Sequence, residues 1–137
     1  MNLGVGLKHS IQCIVEPDMT ADRVGSGSLA VFSTPSLLAL MEAAAFELAE
    51  KGMDRGYTTV GSRVDLHHMS PTPIGVMVRS EAKLTKVLDN RLTFKIMVFD
   101  KAGVIAEAVH IRYIVERKRF MRSADKKLWC IQIEWQT

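Results

Sequence analysis

Two cysteines, Cys13 and Cys130, are all that 137 residues contain, and neither lies in a C-x-x-C or C-x-x-H spacing. That excludes a disulfide framework and a zinc site built on such pairs, and free thiols in a reducing cytoplasm are expected. No apolar run approaches the roughly 20 residues that a helix needs to cross a bilayer, so no membrane partner is expected. Met1-Asn2-Leu3-Gly4 lacks a charged leader ahead of an apolar stretch, which argues against a secretory signal. Neither a Gly-x-Ser-x-Gly elbow nor a dinucleotide fingerprint occurs. Gly25-Ser26-Gly27-Ser28 is not followed by the Lys-Ser/Thr of a phosphate loop. A strong excess of one charge is missing too: 18 Lys and Arg against 15 Asp and Glu leave a net +3. The basic cluster Arg117-Lys118-Arg119, Arg122 and Lys126-Lys127 has no aromatic stacking pattern or helix-turn-helix signature beside it. It reads as a solvated tail, with no nucleic-acid partner expected.

What is present is ordinary globular material, 47% hydrophobic and 24% charged. The length is that of one domain able to bury a proper core. Ile11, Cys13 and Val15 alternate with Ser10 and Gln12, a strand period that Pro17-Asp18 ends. Met19 to Ser28 reads as a mobile loop entering the short apolar run Leu29 to Phe32. Ser33-Thr34-Pro35 is a helix start, a hydroxyl at the N-cap followed by proline. Apolar residues then surround the axis from Leu37 to Ala49, which predicts a buried helix, and Lys51-Gly52 stops it.

From Tyr57 onward the chain reads as four strands, with breaks at Ser70-Pro71-Thr72-Pro73, Asp89-Asn90 and Asp100-Gly103. On the first of them Val60, Ser62, Val64, Leu66 and His68 are expected on one face, and Gly61, Arg63, Asp65 and His67 on the other. One strand, one long buried helix and a run of hairpin strands make an α+β chain whose mostly antiparallel sheet wraps the helix. That arrangement is the hotdog fold. One helix cannot cover the whole sheet edge, so a homodimer is expected.

Glu42 stands out chemically, because Leu38, Ala39, Ala45 and Phe46 are its helical neighbours. A carboxylate buried there costs several kcal/mol unless it is partnered or neutralised, and such a group suits general-base or nucleophilic work. The alternative is a helix face that reaches solvent at Glu42. His68 shares its face with apolar residues, as a core or a catalytic histidine would. His67-His68 points to opposite faces and makes a poor chelate, so no metal is expected. Thr34 reads as an N-cap, at a helix end that suits negative charge developing on a substrate. It lies about 12 Å along the axis from Glu42, so either the two act on different parts of a substrate or the site combines residues from two subunits.

Thr34, Glu42, Gly61, His68 and Arg112 together resemble the fluoroacetyl-CoA thioesterase group of hotdog proteins. The matching stretches are Val31-Thr34 through Leu40-Glu42, Gly61 through His68 to Thr72-Gly75, and His110-Ile111-Arg112. The resemblance spans residues 5–122 and implies hydrolysis of an acyl-CoA thioester without a cofactor. Thr34, Glu42 and His68 would be its catalytic residues, Gly61 a glycine lining the site, and Arg112 an arginine at the substrate end. In the fluoroacetyl-specific enzyme, phenylalanines before the helix close over the acyl group. Gly25-Ser28 is shorter and has no aromatic, so short to medium or aryl acyl-CoA esters are expected instead. A non-catalytic acyl-CoA-binding or sensing module, or a hotdog dehydratase, would use the same fold. Residues 1–122 are read as one thioesterase-like domain and 123–137 as a C-terminal tail. Within that tail the apolar-rich Leu128-Trp135 is open to reading as an added strand at a subunit contact or as an extension outside the fold.

Overall fold

The computed structural model describes residues 1–136, and of residues 130–136 the backbone only. Strand β1 (Lys8–Ile14) leads through a 3-10 turn (Pro17–Met19) and a short helix α1 (Ala21–Val24) to the long helix α2 (Thr34–Glu50). Strands β2 (Tyr57–His68), β3 (Met77–Leu88), β4 (Arg91–Asp100) and β5 (Gly103–Glu116) follow, then helix α3 (Arg117–Gln136). The five strands form one antiparallel sheet in the order β1-β3-β4-β5-β2, so β1 and β2 are its edges. Tight turns join β3 to β4 and β4 to β5, with Asp89 (φ 55°) and Gly103 (φ 128°) taking the left-handed backbone. No described helix is long and apolar enough to cross a membrane.

The sheet curls around α2. Leu37, Met41, Ala44, Ala45 and Leu48 pack onto Val78, Ala82, Phe94, Ile96 and Ala108, all buried. The rest of the helix is not enclosed as its all-round apolarity predicts. Thr34 and Ala39 are exposed, and Phe46 is 38% exposed. Within a single chain the core contacts one side of α2 only.

The helix start also differs in detail. Ser33, with extended backbone (φ −77°, ψ 151°), is the N-cap, and its side chain accepts from the Ser36 amide at 3.1 Å. Thr34 is the first helical residue, so its hydroxyl is not used for capping. At the far end Gly52 is needed for space. A Cβ there would meet the Asn2 carbonyl oxygen at 2.5 Å and the Leu3 side chain at 2.7 Å, because the N-terminal segment crosses over it.

The segment read as a mobile loop is a compact turn. The amides of Gly25, Ser26 and Gly27 all donate to the Ala21 carbonyl, at 3.0, 3.0 and 3.2 Å. Phe32 donates to Thr72 at 2.8 Å and Ser33 to Met19 at 2.9 Å, which fixes the entry into α2. At the other terminus the backbone of Leu128-Trp135 is helical, part of α3, which replaces the strand reading. Cys13 is a free thiol, whereas the side chain of Cys130 lies outside the described residues.

Candidate active site

Two groups of side chains gather along α2. The first is at its N-terminus. With Ser33 serving as the cap, Thr34 Oγ1 is left to hydrogen-bond His68 Nδ1 across 2.8 Å. His68 ends β2 on the face turned toward the helix, with Val64 and Leu66. The exposed side chain of His67 points the other way, 4.0 Å from Asp65. Burial pushes the His68 pKa below its ordinary value, partly opposed by the Ser70 backbone, so the ring is neutral near pH 7. His68 Nε2 is buried and has no hydrogen-bond partner in the protein.

The second group is two turns further along. Glu42 Oε2 lies 3.4 Å from Arg112 Nη1 and 3.9 Å from His110 Nε2. The Glu42 side chain is 41% exposed while that of Arg112 is 7% exposed. The anomaly foreseen at Glu42 is therefore resolved by pairing and partial exposure rather than by full burial. The buried charge is the arginine. It donates from Nε to Thr59 Oγ1 at 2.8 Å and from Nη2 to the Thr59 carbonyl at 3.0 Å, and Phe46 lies over it at 5.7 Å. Burial lowers the Arg112 pKa and Glu42 counteracts this, so the guanidinium stays charged at any working pH.

A β-bulge brings Gly61 into this group. The β2–β5 ladder pairs Gly61 with Arg112 and then Arg63 with Ile111, leaving Ser62 unpaired. The extra residue switches the alternation, so Thr59 and Gly61 share the inward face with Val64, Leu66 and His68. The strict alternation expected from sequence, which set Gly61 opposite His68, fails at this point. A Cβ on Gly61 would collide with Glu42 Oε2 and come within 3.3 Å of Arg112 Nη1 and His110 Cε1. The carboxylate can lie over the strand only because the residue beneath it is glycine.

The sequence candidates, read as catalytic Thr34, Glu42 and His68 with Gly61 and Arg112 as binding residues, are sorted differently by the structure, Thr34 with His68 at one end and Glu42 with Gly61 and Arg112 at the other. No described hydrogen bond or ion pair joins the two ends within the chain. The residue that sequence reasoning missed is His110, fully buried between Arg63 and Arg112. Its signal was the period of two that sets it beside Arg112 on β5. That signal is masked because the outward face of the same strand carries the apolar Val109 and Ile111.

The profile of the fluoroacetyl-CoA-specific thioesterase family matches residues 15–118, most of the chain and the whole of this site. The chain belongs to that family. It is an acyl-CoA thioesterase, a thioester hydrolase. A curated relative, the fluoroacetyl-CoA thioesterase of Streptantibioticus cattleyicolor, is 26% identical over 97 residues, covering 71% of this chain and 70% of the relative. Among solved structures, a fluoroacetyl-CoA thioesterase superposes with a TM-score of 0.86 at 24% identity, covering 93% of this chain and 98% of its own. A Thermus thermophilus thioesterase superfamily member reaches 0.83 at 20% identity, covering 98% and 97%. These structures establish the hotdog fold.

Proposed function

We propose that Thr34, His68 and Glu42 are the catalytic residues, and that a homodimer assembles each site from two chains. The observation that carries this reading is the Thr34–His68 hydrogen bond at the start of α2, which leaves His68 Nε2 as the ring nitrogen without a protein partner. With Thr34 donating to Nδ1, the Nε2–H meets the thioester oxygen as it takes on negative charge, beside the positive end of the helix. Glu42 takes a proton from water, and the water oxygen attacks the carbonyl carbon. The C–S bond then breaks, and the proton returns to the sulfur to give a carboxylic acid and CoA thiol. Arg112 and Gly61 form the wall that holds the Glu42 carboxylate in place. A second chain docked along Thr34, Leu38, Glu42 and Phe46, beside the open edge of β2, would bring one chain's Glu42 to the other's Thr34 and His68.

The acyl group should be short to medium or aryl. Between Ala21 and Phe32 the large apolar side chains open to solvent are Val24 and Leu29, not aromatic rings. Nothing in that turn offers the edge of a phenylalanine to a very small acyl group. Thiol release from fluoroacetyl-, acetyl-, butyryl- and phenylacetyl-CoA should therefore proceed at comparable efficiency. A preference for fluoroacetyl above about tenfold, or ~1.4 kcal/mol, would overturn the substrate range. Binding without thiol release across the panel would leave an acyl-CoA-sensing module.

A further inference from the structure

His110 sits in the core, fully buried, with a hydrogen-bond partner on each ring nitrogen. On one side Nδ1 faces the backbone carbonyl of Arg63 at 2.8 Å. A carbonyl can only accept, so the proton is on Nδ1. On the other side Nε2 is 3.2 Å from Arg112 Nη1, a group that can only donate, so Nε2 must present its lone pair. The ring is thus fixed as the neutral Nδ1–H tautomer by two partners that cannot exchange roles. The same Arg112 nitrogen faces Glu42 Oε2 at 3.4 Å, while the arginine's other end is tied to Thr59.

We propose that His110 is a positioning residue for Glu42, acting through Arg112 and anchored by the carbonyl of Arg63 beside the β2 bulge. Thr59 fixes one end of the guanidinium, and His110 sets the rotation of the other. Together they place Nη1 where it holds the carboxylate over Gly61. Burial is what keeps the ring neutral. A cationic imidazole would lose its acceptor and set a second positive charge against Arg112. The groups facing the ring are Arg63 on β2, Phe94 on β4 (ring centroids 6.2 Å apart), Arg112 on β5 and Glu42 on α2. The inference rests on Glu42 being the working carboxylate.

Nitrogen-15 NMR of the wild-type protein at pH 7 should find His110 as the neutral Nδ1–H tautomer. The Nε2–H tautomer or a cation would overturn the proposal, whatever the variants do. His110→Asn keeps a donor for Arg63 but removes the acceptor for Arg112. It should lower kcat about 10- to 100-fold, the scale of a misplaced catalytic group, with KM little changed. His110→Gln restores an acceptor near Nε2 and should recover most of the loss. Full kcat in His110→Asn, or equal loss in both variants, would reduce His110 to a packing residue. The reading of Glu42 fails separately, by wild-type turnover in Glu42→Gln, and leaves the NMR result to stand or fall alone.

Discussion

At the residue scale the site divides into groups that carry charge and groups that hold them. Glu42→Gln preserves shape and removes the charge, so steady-state turnover should fall at least ~100-fold, the usual contribution of an acid-base group, while CoA still binds. Wild-type turnover would make Glu42 a solvent-reaching helix residue. His68→Ala should be similarly damaging, and His67→Ala, on the outer face, nearly silent. The half-buried His68 and the buried His110 also predict how stability follows pH. Burial depresses the folded-state values of His68 and His110 below the ~6.5 of an unfolded chain. Their contribution is therefore fully present above that value. It is lost as pH falls below it, because the unfolded chain takes up protons that the folded one resists. Urea midpoints should drop between pH 7.5 and 5.5, and His110→Phe should flatten the dependence. Glu42 and His68 were legible in the sequence because each broke a local pattern. His110 was not, since the apolar outward face of β5 masks the alternation that sets it beside Arg112, and its other partner, the Arg63 carbonyl, becomes a neighbour only after β2 and β5 pair in a shifted register.

At the element scale, adjacent hydroxyls at the start of α2 have separate tasks. Ser33→Ala removes a cap and should lower stability by ~1 kcal/mol with kcat little changed. Thr34→Ala should do the reverse, keeping the melting temperature and losing turnover. Differential scanning calorimetry beside thiol-release kinetics separates the two, and equal stability losses would reassign the cap. The sequence placed this helix start within a residue, through the Ser-Thr-Pro signature, but read Thr34 as the cap where Ser33 caps. It also laid out the four later strands and their turns, because alternation and turn residues are local. The bulge at Ser62 was invisible for the opposite reason. An unpaired residue is defined by what the neighbouring strand leaves unmatched, and the one local mark of it, Gly61 inside the strand, does not say which residue is skipped.

For the molecule as a whole, the outer side of α2 is uncovered, β2 is a free edge of the sheet, and Thr34 and Glu42 both reach solvent. Mixing Thr34→Ala with Glu42→Gln, each inactive alone, tests whether the ends meet across a dimer. After subunit exchange half the dimers are mixed, and each mixed dimer has one intact site. The mixture should recover roughly a quarter of wild-type activity. No recovery, with dimers present by light scattering, would place Thr34 and Glu42 in separate or single-chain sites. The all-round apolar character of α2 predicted burial on every side, and the single chain covers only one of them. A sequence registers that a surface is covered, not which molecule covers it.

The turn before α2 has a consequence for how such an enzyme diversifies. Gly25, Ser26 and Gly27 are held by their amides on a single carbonyl, that of Ala21, and Val24 and Leu29 point outward without joining the core. The shape of the turn thus depends on backbone, and the side chains at 24, 26, 28 and 29 are spectators of folding. Selection can rewrite those four positions with little risk to the domain, and under the proposed substrate range new acyl preferences would be reachable in single steps. A library confined to them is the shortest experimental route to a changed substrate.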